Sequence, residues 1–116
     1  YEVKADRDEV KESIVKLVDN AIKFTEKGSV EVSLSRKDGK VLVRVRDSGK
    51  GISKDERSRL FKKFVRLDNS LKRASGGAGL GLYIAKALAE RNGGELELAE
   101  STTRGSVFCL KLPLSD

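Results

Sequence analysis

Apolar residues Val10, Ile14, Leu17, Val18, Ala21 and Ile22 recur at helical spacing and fall on one stripe. Ahead of them Asp6 and Glu9 stand as the two halves of a capping box. The pattern predicts a helix from about Asp8 to about Thr25, stopping before Gly28. Lys16, Asn20, Lys23 and Phe24 lie beside the stripe. The period then changes to alternation at Val30, Val32 and Leu34, and again at Val41, Val43 and Val45, with the strong turn pair Asp38-Gly39 between them. That is an antiparallel hairpin. After Asp47 the segment Asp47-Ser48-Gly49-Lys50-Gly51 is too rich in glycine to continue a strand, and a loop begins.

Lys54 to Phe64 can hold a short helix, whereas Asp68 to Gly79 has neither period and reads as a mobile loop. Helical spacing returns with Ile84, Ala85, Leu88 and Ala89, and Asn92-Gly93-Gly94 supplies a stop. Leu96 and Leu98 mark a further strand, Ser106 to Leu112 the last one, closed by Pro113, and Val3 to Ala5 is a candidate strand at the start. The elements predict an α+β fold: a mixed, mostly antiparallel sheet of about five strands, covered on one face by helices, with the second face solvated.

A length of 116 residues suits one domain with one modest core. Hydrophobic residues are 38% and charged residues 36%, and no run approaches the roughly 20 apolar residues that a membrane-spanning helix needs. The first residues, Tyr1-Glu2-Val3-Lys4-Ala5-Asp6, lack a signal-peptide pattern and begin without methionine, as an excised fragment would. A single cysteine and the absence of histidine exclude an internal disulfide, a Cys/His zinc site and any mechanism using an internal histidine. Cys109 reads as a small core residue.

The net charge of +6 is concentrated. Between Lys50 and Ser75 stand Lys50, Lys54, Arg57, Arg59, Lys62, Lys63, Arg66, Lys72 and Arg73 against Asp55, Glu56 and Asp68, and the rest of the chain is balanced. This run is either a solvated face or a receiver of polyanions. A nucleic-acid groove interleaves aromatic stacking platforms, and only Phe61 and Phe64 are offered here, so small phosphorylated ligands fit better.

Gly76-Gly77-Ala78-Gly79-Leu80-Gly81-Leu82 precedes a helix, where free backbone N–H groups and the positive helix end suit a phosphate, although glycines also serve ordinary turns. Asp47, at the end of a valine strand, can accept a hydrogen bond from an exocyclic amine such as that of adenine, with Gly49 and Gly51 leaving room for a flat ring. Equally, it can form a strand-terminal Asx turn. Asn20 can complete the shell of a Mg2+ whose other ligands are phosphates, and Lys23 can neutralise a phosphate, or both can simply face solvent.

Together, Asn20-Ala21-Ile22-Lys23-Phe24, Asp47-Ser48-Gly49-Lys50-Gly51-Ile52, Phe61-Lys62-Lys63-Phe64, Gly77-Ala78-Gly79-Leu80-Gly81-Leu82 and Gly105-Ser106-Val107-Phe108 resemble, in order, the N, G1, F and G2 boxes and final strand of the ATP-binding domain of sensor histidine kinases. The resemblance covers nearly the whole chain, read as one catalytic domain over residues 1–116 that lacks the histidine-bearing dimerisation domain. It implies the two-layer α/β sandwich of the GHKL group, shared with type II topoisomerases and mismatch-repair ATPases. Carried over by position, it implies Asp47 on the adenine amine, Asn20 on Mg2+, Lys23 on phosphate, and Gly79 and Gly81 at the phosphates. Phe61 and Phe64 then anchor an ATP lid over Ile52 to Ala78, with Arg66 and Arg73 among its phosphate-facing cations. Phe24, Gly49, Gly51, Ile52, Gly77, Leu80 and Leu82 complete the implied nucleotide-binding set, and Asn20 and Lys23 are its catalytic members.

Two departures from the family pattern stand out. Four residues before Asn20, where kinases usually carry asparagine and hydrolysing relatives a water-activating glutamate, this chain has Lys16. A protonated lysine cannot be that base. Ala78 replaces a frequent threonine and keeps the small size of the turn. The resemblance implies transfer of the γ-phosphoryl of Mg2+-ATP to a histidine on a separate dimerisation domain, in a homodimeric parent, with a response regulator downstream. It implies a cytoplasmic domain without contact to nucleic acid or membrane. A nonenzymatic nucleotide-binding regulator of the same fold, suggested by Lys16, is the alternative; a serine kinase of the same group would need a base that the Lys16 position does not offer.

Overall fold

A computed structural model of the chain describes residues 5–25, 27–49, 51–57, 60–61 and 81–114. Its elements are α1 (Arg7–Phe24), β1 (Val30–Lys37), β2 (Lys40–Asp47), the single turn α2 (Lys54–Arg57), α3 (Gly81–Arg91), β3 (Glu95–Thr102) and β4 (Gly105–Pro113). The sheet runs in the order β1-β2-β4-β3, and every neighbouring pair is antiparallel. Among the described residues it therefore has four strands and no parallel pair. The candidate strand Val3 to Ala5 lies outside those residues except for Ala5, which is not in a strand.

The hairpin forms as its sequence dictates: Asp38 (φ 52°) and Gly39 (φ 76°) adopt the left-handed pair that matches strand twist. α1 starts at its cap, where the Glu9 N–H donates to Asp6 Oδ1 at 3.0 Å. The reciprocal half of the expected capping box is supplied from far along the chain. The Asp6 N–H donates to Asn92 Oδ1 (2.8 Å), and Asn92 Nδ2 donates to Glu9 Oε1 (3.0 Å) and to the Leu88 carbonyl (2.8 Å). Arg91 Nη2 reaches Glu9 Oε2 at 3.1 Å. α3 ends in a Schellman arrangement, with Gly93 at φ 75° and the Gly94 N–H on the Ala89 carbonyl at 2.8 Å.

The two long helices run antiparallel on one face of the sheet. Their contact is narrow because Ala21, Ala85 and Ala89 are small, and Ser13 Oγ donates across it to the Ala85 carbonyl at 2.9 Å. Beneath lie Leu17, Val43, Val45, Leu82, Leu96, Phe108, Leu110 and Leu112. Leu17 and Leu110 are fully buried, and truncating either to alanine costs about 2 to 5 kcal/mol at a site of this kind.

Ile22 departs from expectation: it is 58% exposed, because five residues past Leu17 place it roughly 140° around the helix, at the margin of the stripe. Val32 and Leu34 on edge strand β1 are exposed as well. The helix-free face carries charge, as expected, but has a buried apolar centre. Leu42, Val107 and Cys109 sit there between the cross-strand neighbours Lys111, Arg46, Arg44 and Glu97, and Lys111 Nζ meets Glu97 Oε1 at 2.8 Å. Of the helix expected over Lys54 to Phe64, α2 and the turn at Leu60 and Phe61 are described. Among the described residues no helix is long and apolar enough to cross a membrane.

Candidate functional site

Chain geometry gathers the candidate residues at one end of the sandwich. β1 begins just after α1 ends, and its first residue, Val30, pairs with Asp47, the last of β2. Because the start of α1 is tied to the end of α3 through Asp6 and Asn92, the start of α3 at Gly81 lies at this same end. The ladder continues from Asp47 to Ser106 on β4 and from Ser106 to Ser101 on β3. Asn20, Lys23, Asp47, Gly49, Gly51, Ile52 and Gly81 thus lie on separate elements at one end of the sandwich.

Asp47 follows Val43 and Val45 on the helix-covered face and is only 4% exposed. Its Oδ1 accepts the Gly49 N–H at 2.9 Å, which is the Asx turn. A carboxylate has two oxygens with several lone pairs, so this turn fixes the group without exhausting it. Among the described residues no other donor reaches it. The turn and an amine-accepting role are therefore compatible.

Close backbone approaches box in the loop that follows. A β-carbon on Gly105 would collide with the Asp47 carbonyl, and one on Gly51 (φ 84°) with the Thr102 carbonyl. The side of Gly51 on which a side chain would stand is thus taken by the end of β3, so this packing by itself requires glycine there. Ser48 Oγ accepts the Ser29 N–H at 2.8 Å. Ile52 buries its side chain in the core and donates its N–H to Ser101 Oγ at 2.8 Å.

On α1, Lys16, Asn20 and Lys23 share one flank by their spacing. Lys16 Nζ pairs with Glu12 Oε1 at 3.7 Å on its own helix. Asn20 is half-buried, and its side chain makes no hydrogen bond to another described residue. Lys23 is exposed in the last turn. Gly81 is the first described residue of α3, and among the described residues no atom lies within 4 Å of where its β-carbon would sit, while Leu82 beside it is buried. The first turn of α3 has N–H groups without intrahelical acceptors. Phe61 packs edge-on against Phe108 (centroids 6.2 Å apart, 88° between planes), with Lys86 Nζ 5.0 Å over its ring.

The side chain of Phe24 and residues Phe64, Arg66, Arg73, Gly77, Gly79 and Leu80 lie outside the described residues, as does most of the expected lid. Sequence reasoning missed Ser106 and Ser101. Ser106, 3% exposed, continues the inward series Phe108, Leu110 and Leu112, and a polar residue in such a series was the available signal. Its Oγ lies 3.0 Å from Ser101 Oγ.

The family model described as histidine kinase-, DNA gyrase B- and HSP90-like ATPase matches residues 5–116. The chain belongs to this family. It is 37% identical to the circadian input-output histidine kinase CikA of Synechococcus elongatus over 95% of its own length and 15% of that protein. It is 38% identical to the sensor histidine kinase YkoH of Bacillus subtilis over 94% of its length and 24% of the relative. Among solved structures, full-length ShkA in complex with AMPPNP superposes with a TM-score of 0.82 at 32% identity, covering 97% of this chain and 23% of that one. The nucleotide-free catalytic domain of histidine kinase ThkA gives 0.79 at 32% identity, over 96% and 70%. The chain is a histidine kinase-type ATPase domain with the α+β fold of those catalytic domains, and it spans a minor part of the curated relatives it matches.

Proposed function

We propose that this chain is one catalytic domain that binds Mg2+-ATP at the Asp47 end of the sandwich and passes the γ-phosphoryl group to a histidine on a separate dimerisation domain. The observation that carries this reading is the buried, turn-fixed carboxylate of Asp47, at the same end of the sandwich as Gly81, the first described residue of α3. Such a carboxylate accepts a hydrogen bond from the adenine amine, and the N–H groups opening α3 suit the phosphates. Lys23 offsets phosphate charge, joined by Arg66 and Arg73. The AMPPNP bound by ShkA supports a nucleotide as the ligand.

The donor set suits Mg2+. Asn20 offers one neutral oxygen, and the described residues hold no cluster of three or more histidine, cysteine or carboxylate groups, so phosphates and water supply most of the shell. When bound, the ion neutralises phosphate charge. Lys16, paired with Glu12, is no general base for water, which favours transfer over hydrolysis. The chain has no histidine, so the acceptor belongs to the dimerisation domain of a homodimeric parent, with a response regulator downstream on the cytoplasmic side.

Incubation of the chain with radiolabelled ATP, with and without the parent's dimerisation domain, tests the reading. Acid-labile label on the dimerisation domain, and none on the chain alone, is expected; rapid ATP hydrolysis without transfer contradicts it.

A further inference from the structure

Beyond Asp47 the chain leaves the sheet, and side chains rather than a ladder fasten it to β3. The Ile52 N–H donates to Ser101 Oγ at 2.8 Å. From the end of α2, Arg57 Nε donates to the Ile52 carbonyl at 3.1 Å and its Nη2 to the Ser101 carbonyl at 2.9 Å. One guanidinium therefore bridges the end of the loop and the end of the edge strand. The tie reaches β3 just after its register against β4 shifts between Leu98 and Glu100. α2 cannot provide it alone, since a single helical turn has no stability of its own. Ser101 Oγ in turn lies 3.0 Å from Ser106 Oγ, and Ser106 stands opposite Asp47 in the ladder.

We infer that Arg57 is a positioning residue for nucleotide recognition: by joining the Ile52 and Ser101 carbonyls it holds Gly49, Gly51 and Ile52, and through Ser101 and Ser106 the surroundings of the Asp47 carboxylate. This role rests on the proposed function. It requires arginine specifically, because the planar fork presents two donors to two carbonyls at once, whereas lysine is a point donor on a flexible stem.

The test compares the wild-type chain with Arg57→Ala, Arg57→Lys and the charge-matched control Arg36→Ala, an exposed β1 position near the opposite end of the sheet. Mg2+-ADP affinity is measured by calorimetry, and amide exchange at Gly49 and Ile52 by NMR without nucleotide, at a temperature where each variant is folded. Both Arg57 variants are expected to bind ADP about tenfold more weakly, the size of one lost charge-assisted hydrogen bond. Exchange at Gly49 and Ile52 should accelerate while α1 amides and the Arg36→Ala chain match the wild type. Wild-type affinity in Arg57→Lys, or weaker binding with unchanged exchange at Gly49 and Ile52, overturns the positioning role. Wild-type chain that binds no ADP overturns the proposed function and, with it, the role given to Arg57.

Discussion

Asp47 and Ser106 stand opposite each other in the β2–β4 ladder, both nearly fully buried on the helix-covered face. On the same face the adjacent inward positions are Val45 and Val43, before Asp47 on β2, and Phe108 and Leu110, after Ser106 on β4. The pair thus marks where the apolar core ends and a polar, enclosed surface begins. Burying polar groups is costly unless they are hydrogen-bonded, and here the partners are Gly49 for Asp47 and Ser101 for Ser106. The fold keeps a carboxylate in place at the end of its core, which is what recognition of a base edge requires.

Gly81→Ala separates fold from ligand. A β-carbon there meets no other described residue within 4 Å, and alanine favours the helix over glycine by up to about 1 kcal/mol. The thermal midpoint is expected to hold or rise while ADP affinity falls, because the added methyl occupies the approach to the α3 N–H groups. Unchanged affinity would remove the start of α3 from the phosphate site.

Asn92→Ala tests the joint between the helices. It deletes the acceptor for the Asp6 N–H and the donor to Glu9 and the Leu88 carbonyl. A loss of about 1 to 2 kcal/mol is expected, read as a lower urea midpoint at an unchanged slope. Retained stability would show that water replaces all three bonds without cost.

Much of this architecture was legible. The alternation around Asp38-Gly39 defined the hairpin, Asn92-Gly93-Gly94 defined the end of α3, and the glycine-rich run after Asp47 marked where β2 stops. What escaped depends on partners remote in sequence. Periodicity identifies β2, β3 and β4 but not the insertion of β4 between the other two. Glu9 carried a capping-box pattern, yet its carboxylate is held by Asn92 and Arg91. The close approach of the Thr102 carbonyl to Gly51 joins residues some fifty positions apart. No local window contains these contacts.

Stability should fall in alkali. Burial pushes the Cys109 thiol up, against the lowering effect of Arg44 and Lys111, and the hydrogen bond to Glu97 raises Lys111. With both pKa values higher in the folded state, the folded chain holds more protons once the unfolded groups begin to lose theirs. Their contributions are complete at neutral pH and are lost as pH rises past the ordinary thiol value of about 8.5 and then the lysine range. Urea unfolding between pH 7 and 10 should show this decline, with a shallower slope above pH 8.5 in Cys109→Ala. Equal slopes would assign the decline to other groups.

Recognition of the nucleotide base by the Asp47 carboxylate is read by titrating Mg2+-ADP into wild type and Asp47→Asn by calorimetry. Asparagine can still accept the Gly49 N–H through its own Oδ1, so the turn and the fold survive. Its amide nitrogen then replaces the second carboxylate oxygen and faces the adenine amine with a donor. The loss of a charge-assisted hydrogen bond, about 1.5 to 3 kcal/mol, predicts roughly tenfold or greater weakening at an unchanged thermal midpoint. Equal ADP affinity in the two proteins would remove Asp47 from the base site.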